Sequence, residues 1–347
     1  MWRPSLIILW LAAGLLSGPG AVAAQRPNQT PSLPAFQFHS GFWVNLHHFL
    51  YLQGRLRQGA SQARTSPTPA QDSYTQSGSL DGLTAAEQKA WNASVAAYAA
   101  DWSSRALLNN DMALINNRLA ELENCQQLLQ DRGPSNCISG LRPQMIAALN
   151  QAAPVYRAHW WPRQDRENRT WIAEVAPLVR QMGEFVGGQL VELYQRRWPP
   201  GALAVDVVWY AGAQGAYTSR LPIHVTLSSR DPRNQGLAGF EALFDAASDP
   251  LAEAVNEAIA RECRKRGIPI PRNLREALVF YTAGEMVRRA LARQPSGSAV
   301  YTAYSHRNRL SEYGWSEYEQ VLSRYWQPYL DGELGFDAAI SRMISSL

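Results

Sequence analysis

Residues 240–255 read F-E-A-L-F-D-A-A-S-D-P-L-A-E-A-V, a five-residue core, Asp245-Ala246-Ala247-Ser248-Asp249, framed by apolar residues. Asp245 and Asp249 are four residues apart, the spacing that stacks two side chains on one helix face. Pro250 interferes with that arrangement. A proline inside a helix lacks the N–H that would bond the carbonyl of Ala246, and it pushes the preceding Asp249 out of the α region. Asp249-Pro250 therefore reads as an N-cap followed by proline at the first position of a new helix from Leu251. The competing readings of Asp249 are a carboxylate holding an ion and an exposed acid.

Working upstream, A-L-A-V-D-V-V-W-Y (202–210) is rich in strand formers, and Leu221–Leu227 is a second candidate strand. Two strands so close together suggest a small antiparallel sheet, with Y-A-G-A-Q-G-A-Y-T-S-R (210–220) as the loop between them and S-S-R-D-P-R-N-Q-G (228–236) as a turn-rich approach to the helix. Downstream, helices are expected over about 234–266 with an interruption, 272–293, 311–326 and 336–344. The N-terminal half is helical too. Apolar residues fall at helical spacing from Phe42 to Arg57, and a Ser/Thr/Gln/Pro stretch, Gly59–Gly82, reads as an exposed loop. Thr84 with Glu87 forms a capping box, Leu107–Leu129 and a shorter run from Pro143 follow, and Trp171–Arg197 is a long amphipathic helix ended by Pro199-Pro200-Gly201. The expected fold is mainly α within the α+β class. A helical region over 36–200 packs as one unit with a second region, 201–347, that holds the small sheet and further helices.

The chain has 347 residues, 46% hydrophobic and 18% charged, enough apolar material for a substantial core. A net charge of +4 spread over this length, without a dense Lys/Arg stripe, argues against a nucleic-acid partner. Residues 1–24 have the layout of a signal peptide: Arg3, an apolar run Ser5–Leu16, a Gly18-Pro19-Gly20 break, and Ala21-Val22-Ala23-Ala24 offering cleavage after Ala23 or Ala24. Residues 25–35 form a Pro-rich polar lead-in. The expectation is an exported protein, periplasmic or secreted, with no membrane span once the signal is removed. In an oxidising compartment Cys125 and Cys137, which flank Gly-Pro-Ser-Asn, would close a short loop and leave Cys263 free; the alternative is three buried thiols.

Three segments follow one another in a suggestive order: I-H-V-T-L-S-S-R-D-P (223–232), F-D-A-A-S-D (244–249) and F-Y-T-A-G-E-M-V-R-R (280–289). The order resembles the gluzincin class of zinc metallopeptidases, where a sheet edge precedes an H-E-x-x-H helix and a Glu on a later helix is the third ligand. Over nearly its whole length after the signal segment, the chain is also similar to exported bacterial proteins of unassigned function that carry the motif intact. The resemblance implies zinc, yet here Asp245 and Asp249 replace both histidines and Ala246 replaces the general base. Aspartate is too short to reach the metal position that histidine reaches from the same backbone. Three carboxylates, Asp245, Asp249 and Glu285, would favour a harder ion such as Mg or Ca. Without the base and the metal-activated water, peptide hydrolysis loses both of its main aids. The cofactor expectation is therefore none. Glu285 has a plain structural alternative, an ion pair with Arg288 or Arg289 one turn on. If the comparison holds, Tyr217, Arg220, His224 and Glu285 line the former cleft.

The six histidines, His39, His47, His48, His159, His224 and His306, show no metal-ligand spacing. Trp160, Trp161 and Trp171 alternate with Arg and Asp, a mixture suited to stacking on sugars or, more plainly, to core packing. There is no phosphate-cradling glycine loop and no G-x-S-x-G. Three functions follow as expectations. The first is a catalytically inactive, metallopeptidase-like protein that binds a peptide, glycan or protein, or scaffolds, through the old cleft. The second is a hydrolase with carboxylate ligands. The third is a glycan-binding or glycan-active envelope protein using the tryptophans with Asp165 or Asp231.

Overall fold

The computed structural model describes residues 33–62, 79–130, 136–220, 222–294, 310 and 314–347. Residues 1–24, expected to be a signal peptide, His306 and most of 59–82, expected to be a loop, lie outside the described residues. The architecture is mainly helical with one four-stranded sheet, as the α+β expectation requires.

Strand β1 (Phe36–His39) opens the described chain. Among the described residues five helices follow before the next strand: α1 (Phe42–Gln62), α2 (Ala85–Asp101), α3 (Asn110–Glu121), α4 (Pro143–His159) and α5 (Trp161–Tyr194). Strands β2 (Leu203–Val208), β3 (Ala216–Arg220) and β4 (Ile223–Ser228) come next, then α6 (Leu237–Ala247), α7 (Glu253–Arg266) and α8 (Leu274–Ala292). A helical stretch with a π-turn at Leu322–Trp326 precedes the last helix, α9 (Phe336–Ser346). The Thr84 hydroxyl and Glu87 close the expected capping box at the start of α2. Helix α5 begins ten residues earlier than the hydrophobic pattern suggests, because Pro162 suits the first turn of a helix.

The expected antiparallel pair is corrected to a mixed sheet in the order β1-β2-β4-β3. Strands β2 and β4, the two legible in the sequence, are parallel neighbours. Parallel neighbours need a return path between them, and the stretch read as a loop supplies it: β3 runs back antiparallel along the outer side of β4. The edge beside the motif helix is thus β3, and the segment 223–232 assigned to that place provides an interior strand. The start of the 36–200 region, expected to be helical, contributes β1, which pairs parallel with β2 from Phe36↔Leu203 to His39↔Asp206.

The two sheet faces differ sharply. Leu203, Val205, Val207, Val225 and Leu227 face a core built with Phe240 and Phe244 of α6, Val186 and Leu190 of α5 and Leu278 of α8. The opposite face carries Asp206, His224, Thr226, Tyr217 and Ser219, since residues paired across strands share a face. It lies toward a second core around Trp43, Phe49, Trp91, Tyr98 and Tyr156. Buried polar groups are mostly hydrogen-bonded, and these side chains have partners. Asn116 reaches Thr226 at 3.2 Å and Ser219 donates to Asn117 at 2.7 Å. Asn45 of α1 accepts from the Trp209 amide and from Asn168 of α5 at 2.9 and 3.0 Å, while its own amide donates to Val207.

Cys125 and Cys137 are disulfide-bonded across twelve residues, and Cys263 is a free, buried thiol. Trp160 packs tilted against Trp91 at 4.4 Å, Trp161 packs edge to face against Phe42 at 5.5 Å, and the Trp171 indole donates to the Asn234 carbonyl at 2.6 Å. These three rings pack into the body of the protein. Among the described residues no helix is long and apolar enough to cross a membrane.

Candidate functional site

Helix α6 ends at Ala247, with Ser248 as its C-cap, and residues 248–252 form turns before α7. Pro250 breaks the helix as its chemistry requires, but the new helix starts at Glu253, with Ala252 in the cap position. The N-cap reading of Asp249 is therefore corrected. Its carboxylate accepts from Arg275 at 2.6 Å and from Arg220 at 3.0 Å, and Arg220 also reaches Glu253 at 3.2 Å. Charge-assisted bonds to two guanidiniums outcompete a single cap bond to a backbone amide.

Glu285 is buried on α8 and takes the structural alternative. It accepts from Arg288 through both oxygens at 2.7 Å and from Arg289 at 2.8 Å. Burial pushes its carboxyl up, yet the two guanidiniums win and hold it below the ordinary value. Asp249 and Glu285 are thus each committed to arginines. Among the described residues no three His, Cys, Asp or Glu side chains are grouped as for a metal ion. The residues in the motif positions do not fit a zinc ion: no imidazole is present, and the second carboxylate lies beyond the end of the helix that would present it.

The remaining predicted cleft residues are also drawn elsewhere. Tyr217 points into the polar layer, where its hydroxyl meets His48 Nε2 at 2.8 Å. His48 donates from Nδ1 to the Val44 carbonyl, and burial lowers its pKa to about 4, so both ring nitrogens serve a neutral imidazole. His47 is likewise depressed by burial and sits 3.0 Å from the Tyr98 hydroxyl. His224 pairs through Nδ1 with Asp206 at 2.8 Å, linking the two central strands. His39 and His159 lie beside Glu123 and Glu87 at 3.6 and 3.1 Å. Of the glycan candidates, Asp165 holds Arg169 at 2.8 Å, and Asp231 caps the turn at Pro232–Asn234 while chelating Arg233.

What remains at the motif helix is a cavity of about 40 Å³ with Asp245 in its wall. Glu241, one turn before Asp245, lines it beside Arg233 and Asn234, with Gln214 and Ala216 from the β3 side and the rings of Phe280 and Trp315. Those rings stand edge to face at 6.1 Å. The walls are fixed. Asn234 donates to the Gly215 and Ser228 carbonyls at 2.8 and 3.0 Å, and the Thr218 hydroxyl on β3 donates to the Ala246 carbonyl at 2.5 Å. Burial, then the negative charges of Glu241 and Asp249, push the Asp245 carboxyl up to about 8, with Arg275 opposing. At neutral pH Asp245 is mostly a carboxylic acid, able to donate one hydrogen bond and accept another.

The sequence reading located Asp245 and missed its companions. Glu241 was within reach, since it lies four residues before Asp245 and so shares its face. Gln214, Phe280 and Trp315 enter from three separate segments, and no local pattern marks them. Compared with known proteins, the chain matches no family model, no curated protein and no solved structure.

Proposed function

We propose that this chain is an exported binding protein built on a peptidase-like frame, and that the cavity beside Asp245 receives a small hydrogen-bonding group of a peptide or glycan. The observation that carries this reading is the pairing of an uncommitted acid with committed neighbours. No hydrogen bond from another described residue reaches the Asp245 carboxyl, whereas Asp249 and Glu285 are held by arginines. Ala246 supplies no base for a water, so the frame supports recognition in place of hydrolysis. The disulfide supports an oxidising compartment.

The reading is tested by elemental analysis of the purified chain, with calorimetric titration of short peptides and peptidoglycan fragments. The expected result is no stoichiometric metal, and a ligand whose affinity falls about tenfold or more in Asp245→Ala, which removes both the donor and the acceptor, and is largely kept in Asp245→Asn, which retains one of each. One tightly held ion per chain with chelator-sensitive peptide cleavage would overturn it in favour of a carboxylate-ligated hydrolase.

A further inference from the structure

Helix α7 ends in Arg264-Lys265-Arg266, and Gly267 closes it in the left-handed conformation at φ 66°. The chain then runs Ile268-Pro269-Ile270-Pro271-Arg272 into α8. Every residue from Arg264 to Ile270 is exposed. Ile268 and Ile270, two positions apart in one loop, retain 38% and 55% of their surface in water and so form a paired apolar tip. The loop is held in shape. The Ile268 amide bonds the Cys263 carbonyl at 3.1 Å, the Tyr318 hydroxyl bonds the Arg272 carbonyl at 2.5 Å, and two prolines fix their own φ angles.

Along the chain the charge of this tip is one-sided, although Glu276 and Glu317 both act on Tyr318, whose hydroxyl bonds the Arg272 carbonyl. Residues 262–272 carry four cations, Arg264, Lys265, Arg266 and Arg272, against one carboxylate, Glu262. Glu262 is taken up by Lys265, Arg266 and the Ser341 hydroxyl. Hydrogen bonds and cations hold its carboxyl down to about 2, so it stays ionised beside them without reversing the local sign.

We propose that the 264–272 tip is a docking surface for an anionic phospholipid bilayer, with Ile268 and Ile270 seated at the boundary between headgroups and acyl chains and Arg264, Lys265 and Arg272 among the lipid phosphates, while Arg266 stays turned to Glu262, Ser341 and Ser345. The pairing of two weak signals, a short apolar insertion and a basic cluster, is what reversible peripheral attachment requires. A nucleic acid would satisfy the cations and leave both isoleucines in water; a bilayer offers an anionic layer with an apolar phase directly beneath it. Preset backbone angles leave little ordering to be done on contact. This goes beyond the cavity at Asp245 and does not depend on it.

The test is co-sedimentation of the purified full chain with unilamellar vesicles, one set phosphatidylcholine alone and one with about a third phosphatidylglycerol, at low and high salt. Binding is expected to the anionic vesicles only, and to weaken at high salt as screening shortens the reach of the charges. Arg264→Gln with Arg272→Gln should weaken it about 25-fold, about fivefold per charge. Ile268→Ser with Ile270→Ser should weaken it about tenfold or more. An Ile268→Trp variant should show blue-shifted emission that brominated lipids quench. All these positions are exposed, and unchanged circular dichroism confirms that each variant is folded. Failure of the wild-type chain to sediment with anionic vesicles, equal binding by the double isoleucine variant, or tighter binding to duplex DNA than to vesicles would each overturn the proposal.

Discussion

At neutral pH Asp245 keeps its proton while the same residue in the unfolded chain, at the ordinary value of 3.8, does not. Between pH 4 and 8 the folded state therefore binds the extra proton, and this residue's contribution to stability is lost as pH rises through that window. Asp245→Asn removes the dependence and should stabilise the fold by roughly 2–4 kcal/mol at pH 8 while changing little at pH 4, as read from urea denaturation at both values. Equal effects at the two pH values would show that the carboxyl is ionised throughout. His48 works in the opposite sense. Its folded value of about 4 lies below the unfolded 6.5, so its contribution is present above pH 6.5 and lost as pH falls toward 4. In Asp245→Asn the opposing slope is gone, and stability should rise from pH 4 to 6.5 through the two buried histidines, His47 and His48, together with the arginine-paired carboxylates, and then level. Glu285 belongs to the same scale. Glu285→Gln withdraws the charge from two guanidiniums and should cost about 2–3 kcal/mol by chemical denaturation, with the loss vanishing at a pH low enough to protonate the wild-type carboxyl.

Among the elements, the segment after α3 shows how covalent chemistry overrides a hydrophobic pattern. The periodicity of Leu107–Leu129 suggested one helix, but α3 stops at Glu121 and the chain turns through the Cys125–Cys137 link. A loop of this length should contribute about 3 kcal/mol by restricting the unfolded chain. Replacing both cysteines with serine is expected to lower the midpoint of thermal unfolding correspondingly, and a reducing agent should bring the native protein to the same midpoint. The strand pair β3–β4 carries a different lesson. Tyr217, Thr218 and Ser219 have the strand-forming alternation, but Gly212, Gln214 and Gly215 immediately before them read as a turn and drew the whole stretch into a loop. Gly215 does adopt a left-handed φ of 75°, and its amide bonds the Gly212 carbonyl, so a turn is present and simply ends sooner.

For the molecule as a whole, the sheet separates two apolar cores, and its polar face is the seam between the sheet and the N-terminal helices. Asn45 sits where α1, β2 and α5 meet, with hydrogen bonds to Val207, Trp209 and Asn168. Buried amide networks of this kind lose more than one bond when a member is removed, because the partners are left unsatisfied. Asn45→Ala should destabilise by about 2–4 kcal/mol. It should also speed amide exchange in α1 and β2 together, and protection lost in α1 only would show that the seam does not couple the layers.

The sequence by itself determined what local chemistry controls. Local spacing accounts for helices where apolar residues recur at helical spacing, for the cap at Thr84 and for the break at Pro250, and it offered the Cys125–Cys137 bridge and the Glu285 ion pair each beside an alternative that the structure removed. Each depends on contacts between residues close in the chain. The tertiary structure decided the strand order, the burial of a polar sheet face, and the fate of Asp249, which meets Arg220 and Arg275 from β3 and α8. It also decided that Asp245 opens onto a cavity lined from five segments. Those outcomes turn on which side chains arrive from distant parts of the chain, and no spacing within a segment encodes that.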